Sequence, residues 1–312
     1  MKSVYFLFFA VSSILFSACQ SEDLPPKNYL FLSHIYQWGV IDNNKIDYRL
    51  KDFDFKNFDQ IWLGGDLCAR TSERASTINY LDSIFDLSSP NTHWAIGNHD
   101  ISSGNIDLIT EKTQRKSFNA TFSNGIGIVV LNTTEFYNPN YNPKEKECEL
   151  LDGQIQLLNN ISDTISAASH LIILHHNALI NNQMTEDSIN IGSIFNFYHP
   201  EYFVNCKNAA PFKEIYFPIF KRIQNKGVQV ILIGGDLGQR AKEFEFRSKE
   251  GIYFLGSGIN NSAVPFNPPE YVTNTEPDKL LVFKHDISNK ELSWEFVELN
   301  DLIKKHKKSS IE

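Results

Sequence analysis

Short apolar runs of strand length recur along this chain, and they restrict its possible folds more than any other feature. Six such runs are bounded by Gly, Asn or Asp, at 29–32, 61–63, 94–96, 128–131, 171–174 and 228–233. A strand that is apolar along its whole length is usually buried on both faces, as in the parallel part of a sheet. The runs therefore predict a central β-structure that is covered on both sides.

Helical patterns lie between several of these runs. Thr71 and Ser72 are plausible N-terminal caps for a pattern in which Ile78, Leu81 and Phe85 fall on one helical face. Two further helices are predicted, one that opens at residue 152 and one over 218–226 that stops at a glycine in the C-cap position. Additional strands are predicted at 252–255, 280–284 and 292–297.

Alternating strands and helices imply a layered α/β architecture, in which ligands bind at the carboxyl ends of the strands. Polar residues with useful chemistry do follow five of the apolar runs, at 33–36, 64–66, 97–100, 175–176 and 234–236. We therefore expect one cleft to collect these residues.

The sequence Gly97-Asn98-His99-Asp100 is the most specific of these signals. An Asn carbonyl oxygen can bind a metal ion while the neighbouring His points toward a phosphoryl oxygen. Because Gly65-Asp66 ends an earlier strand and His175 ends a later one, the order resembles the calcineurin-like metallophosphoesterases. The resemblance extends from about residue 29 to the C-terminal strands. It implies a metallophosphoesterase-like β-sandwich of mixed sheets flanked by helices, in the order α/β/β/α.

The resemblance also implies a site. Members of the family hold divalent or trivalent metal ions that activate a hydroxide for attack on a phosphoester, so one or two ions are expected here, with Mn, Fe and Zn favoured. By position, Asp66 matches the carboxylate that bridges two ions, and Asn98 and His175 match ligands of the second ion. His99 matches the residue that stabilises the transition state or protonates the leaving oxygen. We predict its neighbour Asp100 as a second catalytic residue.

Two motifs of the family are altered in this chain. His34 and Tyr36 stand where the family has Asp-x-His, and Gly234-Gly235-Asp236-Leu237 stands where it has Gly-His-x-His. His34, Tyr36 and Asp236 can still offer a nitrogen or an oxygen to a metal ion, so we predict them as further ligands. The alternative is that all three are ordinary polar residues of strand ends and turns. His176, His199 and His285 have no predicted role.

Two functions compete on these observations. The first is a metal-dependent phosphoesterase that acts on a small phosphorylated molecule, as a phosphomonoesterase or a phosphodiesterase. The second is a catalytically impaired relative that serves as a surface ligand-binding lipoprotein, and metal chemistry of another kind is a third option. The net charge of −8 argues against a general nucleic-acid-binding surface. The segment 177–211, rich in Asn and aromatic residues, is either a self-packed loop or a specificity lid.

The N-terminus predicts export. An apolar run over 4–16, too short to span a bilayer, precedes Phe16-Ser17-Ala18-Cys19, which resembles a bacterial lipobox. We predict that Cys19 is lipidated and anchors the protein to the membrane of the bacterial cell envelope, and ordinary cleavage after Ala18 is the alternative. The acidic segment 20–23 resembles the signal that sends some bacterial lipoproteins to the outer-membrane surface.

The predicted organisation is a lipoprotein-type signal peptide (1–18), a short tether (19–28), one phosphoesterase domain (29–300) and a basic tail (301–312). Three cysteines remain beside the lipidation site. In an oxidising compartment, Cys68, Cys148 and Cys206 predict one disulfide and one free thiol, with Cys148–Cys206 as the favoured pair. The sequence does not indicate an oligomeric state.

Overall fold

The described residues form two mixed β-sheets that pack face to face, with helices on both outer surfaces. The predicted α/β/β/α layering is therefore confirmed. In this computed structural model the described residues are 24–37, 44–102, 104–136, 145–186, 188–198, 212–260 and 268–307. The predicted signal peptide, the lipidation site Cys19, and Cys206 lie outside them.

The first sheet has five strands, which in spatial order are β11 (Glu291–Glu298), β10 (Lys279–Asp286), β1 (Lys27–Leu32), β2 (Gln60–Leu63) and β3 (Thr92–Trp94). Strands β1, β2 and β3 are parallel, while β10 and β11 continue the sheet in antiparallel fashion. Leu32 pairs with Leu63, and Leu63 pairs with Trp94. The three parallel strands therefore end level with one another.

The second sheet has six strands, which in spatial order are β4 (Asn119–Ser123), β5 (Ile126–Val130), β6 (His170–His175), β7 (Gln229–Gly234), β9 (Tyr253–Ser257) and β8 (Glu243–Arg247). The four central strands are parallel, and β4 and β8 are antiparallel edge strands. His175 pairs with Gly234, so β6 and β7 also end together.

Six helices are described: α1 (Ala75–Phe85), α2 (Asn98–Ile101), α3 (Ile106–Thr113), α4 (Glu145–Thr164), α5 (Phe212–Gln224) and α6 (Leu299–Lys305). Apolar residues of α1, α3 and α6 pack on the outer face of the first sheet. Those of α4 and α5 pack on the outer face of the second sheet. Both sheets are thereby shielded from water on the outside as well as between them.

The inner strands alternate between two apolar layers. In β6, Ile172 and Leu174 join the layer between the sheets, whereas Leu171 and Ile173 join the layer under the helices. This alternation follows from the two-residue repeat of a strand. Because both layers are apolar, the strand is a continuous apolar run in the sequence, as predicted.

Several predicted element boundaries differ from the structure. The third strand covers Thr92–Trp94 rather than 94–96, and α4 begins seven residues before position 152. Thr71 and Ser72 do not cap α1, since they lie in a short 3-10 turn and no side chain caps that helix. Helix α5 spans Phe212–Gln224 rather than 218–226, so Gly227, at φ +82°, lies three residues beyond its last residue and not in the C-cap position.

The ends of the predicted domain also differ from the folded boundaries. Strand β1 begins at Lys27, within the segment predicted as a tether, and α6 extends into the predicted tail with Leu302 buried. Cys148 is disulfide-bonded, while Cys68 is a free, buried thiol. The partner of Cys148 lies outside the described residues, so the proposed pairing with Cys206 stays a prediction.

Candidate functional site

Five turns meet at one edge of the sandwich, after β1, β2, β3, β6 and β7. Backbone hydrogen bonds join neighbouring turns within each sheet. The His34 N–H donates to Gly65 O (2.9 Å), and the Gly235 N–H donates to His176 O (3.0 Å). The Ser33 hydroxyl lies between them, within hydrogen-bonding distance of the carbonyl oxygens of both Gly65 and Gly235. The predicted cleft is thus a fixed junction between the two sheets.

Asp66 lies at the centre of this junction and is almost fully buried. Its Oδ1 accepts the backbone N–H of His99 at 2.8 Å. Its Oδ2 faces two imidazoles, with His176 Nε2 at 3.5 Å and His34 Nε2 at 3.8 Å. Both His34 (φ +53°) and Asp66 (φ +57°) adopt the left-handed backbone region, which is uncommon for residues other than glycine. Such conformations are concentrated at functional sites.

His176, rather than His175, is the histidine that reaches Asp66. The alternation of β6 sends His175 toward the helix-covered layer, where its ring lies near the Gly234 backbone and its Nδ1–H donates to Asn177 O at 2.7 Å. His176 faces the first sheet instead. His175, predicted as a metal ligand, is therefore turned away from Asp66, and His176, for which no role is predicted, lies beside Asp66 instead.

The His176 ring is held in one orientation. Its Nδ1 lies 2.7 Å from Gly64 O, and since a carbonyl oxygen only accepts, Nδ1 carries the proton. Its Nε2 therefore points at the Asn98 side-chain oxygen, 3.2 Å away, and at Asp66. Burial lowers the pKa of His176, but the Asp66 carboxylate and further hydrogen bonds outweigh burial and raise it to about 10. In turn, the imidazoles hold the pKa of Asp66 below its ordinary value in spite of burial.

The Gly97-Asn98-His99 turn brings the third element into the site. Asn98 is exposed and His99 is half-buried, so this side of the site is open to solvent. His99 Nδ1 donates to Ala69 O at 3.1 Å, so the second ring nitrogen, Nε2, takes no part in this hydrogen bond. A Cβ at Gly97 would lie only 2.2 Å from Asp66 Oδ1 and 2.8 Å from His176 Cε1. Only glycine permits this close approach of the turn to the carboxylate.

Asp100, predicted as catalytic, has a structural role instead. It is fully buried, and its two oxygens accept the backbone N–H groups of Asp66, Leu67 and Gly97 at 2.8–3.0 Å. The Thr71 hydroxyl (2.6 Å) and the Trp94 indole (3.2 Å) also donate to it. Burial and the nearby Asp66 charge nonetheless raise its pKa. A carboxyl group enclosed by five donors fixes the turns around Asp66 and does not reach a substrate.

Tyr36 is close to the predicted ligands but is poorly suited to bind a metal ion. Its buried ring packs against His34 at 4.7 Å and His99 at 4.8 Å between ring centres. Burial, followed by the charges of Asp66, Tyr271 and Asp236, raises its pKa well above the ordinary value. Because the ring is packed between His34 and His99, we assign Tyr36 to the wall of the site rather than to the ligand set.

His34 is buried beside Asp66 and is neutral at physiological pH. Burial lowers its pKa to about 4, although the Asp66 carboxylate acts in the opposite direction. The Gln239 side-chain amide lies 3.5 Å from His34 Nε2. His34 is thus in the site as predicted, at a longer distance from Asp66 than His176.

Asp236 lies on the same edge, and its carboxylate is held by the loop segment that carries Phe197. Its Oδ2 accepts the Phe197 N–H at 3.0 Å, and its own N–H donates to His176 O at 3.0 Å. Burial raises its pKa to about 6, the His176 charge lowers it, and the Asp66 charge raises it further. Asp236 is therefore close enough to His176 and Asp66 for their charges to act on its carboxyl group, and its role as a metal ligand stays a prediction.

These donors can be compared with the needs of a metal ion. Two atoms bound to one small divalent ion lie about 3 to 3.5 Å apart, and His176 Nε2 lies 3.2 Å from Asn98 Oδ1 and 3.5 Å from Asp66 Oδ2. A histidine that binds a metal usually donates its other ring N–H to a carbonyl, as His176 does to Gly64. An ion bound here would displace the Nε2 proton that Asp66 holds on His176, and the carboxylate, amide and imidazole could then hold one ion.

A second ion has less support. Across the described segments, no group of three or more His, Cys, Asp or Glu side chains is arranged to hold a metal ion. One of the three converging donors, Asn98, is an amide. His34 Nε2 lies farther away, at 3.8 Å from Asp66 Oδ2. The donors that the described residues assemble are therefore those of a single site.

No family model and no curated protein matches this chain. Among solved structures, GAP50, the anchor in the inner membrane complex of Plasmodium, is similar with a TM-score of 0.51 and 11% identity, covering 88% of this chain and 85% of its own. The phosphopantetheinyl hydrolase of Mycobacterium tuberculosis has a TM-score of 0.42 and 12% identity, covering 80% and 96%. Vps29 of Entamoeba histolytica, complexed with zinc, has a TM-score of 0.32 and 9% identity, covering 88% and 99%. The likeness to GAP50 shows a shared fold, and the two weaker likenesses carry no argument.

Proposed function

We propose that this protein is a metal-dependent phosphoesterase that holds one divalent cation on Asp66, Asn98 and His176 and hydrolyses a phosphomonoester or phosphodiester of a small molecule. The observation that supports this most is the convergence of His176 Nε2 on Asn98 Oδ1 (3.2 Å) and Asp66 Oδ2 (3.5 Å). Those three residues follow three different strands, one of them in the other sheet. The motif order that resembles the metallophosphoesterases adds independent support.

The ion, when bound, would supply Lewis-acid activation of the phosphoryl group and of the attacking water. The chain itself supplies orientation. The His99 N–H fixes the rotation of the Asp66 carboxylate, and Asp100 fixes the turns that carry both residues. The half-buried His99 imidazole, held through Nδ1 by Ala69 O, can present Nε2 to a phosphoryl or leaving oxygen. That placement suits hydrogen bonding to the transition state or proton transfer.

A ligand-binding module without catalysis is the second candidate. It is favoured by the lack, within the described residues, of three His, Cys, Asp or Glu side chains arranged around one ion. A site with fewer strong ligands holds its ion less tightly. In this case the protein would bind a phosphorylated ligand and release it unchanged.

Hydrolysis assays distinguish the two candidates. We expect purified protein supplied in turn with Mn, Fe, Zn, Co, Mg and Ca to hydrolyse p-nitrophenyl phosphate or bis(p-nitrophenyl) phosphate with at least one metal. Asp66→Ala should abolish the activity, and His99→Gln should lower kcat by roughly 100-fold, as expected for a lost proton donor or hydrogen bond. Activity no higher than that of Asp66→Ala with every metal would reject the enzyme and leave the binding module.

We also propose that the protein is exported and attached to the cell envelope through Cys19. The support is the lipobox-like sequence after a short apolar run. None of the helices in the described ranges combines the length and the hydropathy of a membrane span. Fractionation of cells that express Cys19→Ala tests this proposal, since wild-type protein should be found with membranes and the variant should not.

A further inference from the structure

Ser33 joins the two sheets beside the site. It follows β1 in the first sheet and is fully buried. Its hydroxyl lies 2.5 Å from the carbonyl oxygen of Gly235, which follows β7 in the second sheet, and 3.2 Å from that of Gly65. A hydroxyl group has one proton to donate, and Gly235 O is the nearer acceptor. The Ser33 side chain therefore donates from one sheet to the other.

The Ser33 hydroxyl belongs to a closed ring of hydrogen bonds that passes through both sheets. The Gly235 N–H donates to His176 O at 3.0 Å, and the His176 Nδ1–H donates to Gly64 O at 2.7 Å. The Gly64 N–H donates in turn to Leu32 O at 2.7 Å, and Leu32 is the residue before Ser33. The ring thus returns to its starting point, and both the backbone and the imidazole of His176 are part of it.

Close packing around Ser33 sets the spacing of the sheets at this point. A Cβ at Gly235 would overlap both Gly64 O and Ser33 Oγ, and a Cβ at Gly64 would lie 2.8 Å from Ser33 Cβ. The Ser33 carbonyl oxygen also accepts the Ile259 N–H at 3.3 Å, from the turn that follows β9. Ser33 is therefore bonded to two turns of the second sheet, and only glycine fits where the opposing turns meet.

We propose that Ser33 is a positioning residue, whose hydroxyl holds the sheets at the spacing at which the His176 imidazole of the second sheet meets the other two metal donors. Those two, Asp66 and Asn98, lie on turns of the first sheet. This inference rests on the proposed function, because it concerns the ion that the three residues would hold. A residue that orients a metal ligand changes the metal affinity by about 10- to 100-fold when it is replaced.

Thr92 provides a matched control. Its buried hydroxyl donates to Phe85 O at 2.7 Å, which is the same type of hydrogen bond that Ser33 makes to Gly235. Thr92 is the first residue of β3, so it lies in the same sheet as Ser33 but at the end opposite to the site. Thr92→Val removes this hydrogen bond without touching the ring of hydrogen bonds at Ser33. An effect of general destabilisation should therefore appear in Thr92→Val as well.

The first measurement is the affinity of the purified protein for Mn²⁺ alone, followed by electron paramagnetic resonance. We expect Ser33→Ala to weaken Mn²⁺ binding by roughly tenfold and Thr92→Val to leave it unchanged. Ser33→Cys keeps a side chain of similar size with a weaker donor, so its affinity should lie between those of the wild type and Ser33→Ala. A wild-type affinity in Ser33→Ala, or an equal loss in Thr92→Val, would overturn the proposal.

The second measurement needs no metal ion and separates this proposal from the proposed function. In chelator-treated protein, the proton that His176 Nδ1 donates to Gly64 O should give a downfield NMR signal, assigned by its absence in His176→Gln. We expect exchange with water to remove this signal in Ser33→Ala and not in Thr92→Val, because a loosened hydrogen bond opens more often. Thermal melting of each variant identifies any change that comes from unfolding.

The two measurements together distinguish the failures. If the wild type binds no Mn²⁺ but the NMR signal depends on Ser33, the proposed Mn²⁺ site fails and the positioning of His176 by Ser33 stands. If the wild type binds Mn²⁺ and the signal is retained in Ser33→Ala, the metal site stands and the proposal for Ser33 is overturned.

Discussion

Two turns of nearly identical sequence face each other across the site and behave in opposite ways. Leu63-Gly64-Gly65-Asp66-Leu67 ends a strand of the first sheet, and Ile233-Gly234-Gly235-Asp236-Leu237 ends a strand of the second. The carboxyl group of each turn is almost fully buried. Nevertheless, the pKa of Asp66 is lowered while that of Asp236 is raised to about 6.

The difference comes from what each turn faces rather than from its own sequence. Asp66 takes a left-handed backbone conformation that directs its carboxylate toward the imidazoles of His176 and His34, and it receives the His99 N–H. Asp236 receives a backbone N–H from Phe197 and feels the repulsion of Asp66. A buried carboxylate is stabilised when positive or proton-donating groups surround it and destabilised otherwise. Two nearly identical turns therefore carry a strongly acidic carboxyl group in Asp66 and a weakly acidic one in Asp236.

Substitution of Asp66 should have the largest effect on this contrast. In chelator-treated protein, Asp66→Asn is expected to lower the free energy of unfolding at pH 7 by about 3 kcal/mol, because it removes one partner of a buried charge pair. Since the folded-state pKa of Asp66 lies below its unfolded value, the contribution is present above the unfolded pKa and fades as the pH falls. Urea denaturation at pH 7 and at pH 2, below the unfolded pKa of the carboxyl group, measures both effects. An equal loss at the two pH values would contradict the ion-pair explanation.

Substitution of Asp236 should have a smaller effect of the opposite sign. The pKa of Asp236 is raised from 3.8 to about 6, so ionisation of this carboxyl group costs stability above that pH. In chelator-treated protein, Asp236→Asn should therefore raise the free energy of unfolding by about 1 to 3 kcal/mol above pH 6, and the gain should vanish below about pH 4. Denaturation curves across this pH range provide the measurement. Destabilisation at pH 7 would show that Asp236 is stabilised by its ionised form, as Asp66 is.

The sequence predicted the inner strands of the second sheet but not its two edge strands. Strands such as β6 and β7 are buried on both faces, so their apolar runs are unbroken. The edge strands β4 and β8 were not predicted, because Asn119–Ser123 is half-exposed and Glu243–Arg247 alternates between buried and exposed positions. The first two turns of α4 are mostly polar, which explains why its start was placed at residue 152.

Because β6 is buried on both faces, its sequence does not indicate which of its two terminal histidines enters the site. A strand with one polar face shows which of two adjacent residues points to each side, but β6 is apolar in both directions. The sequence therefore could not decide between His175 and His176. Three-dimensional contacts decide it, because only His176 is hydrogen-bonded to Gly64 and Asn98. Asp100 presents a similar case, since its five donors come from residues that are distant in the sequence or that turn back only in the folded chain.

The most direct test of the site is the metal content of four variants, measured by mass spectrometry after dialysis against the preferred ion. We expect one ion per chain in the wild type, in His175→Gln and in Asp236→Asn, since neither of these two residues belongs to the converging donor set. His176→Gln and Asn98→Ala should lose the ion, because each removes one of three ligands. An ion that is retained in His176→Gln but lost in His175→Gln, or a wild-type protein that binds no ion, would contradict the account.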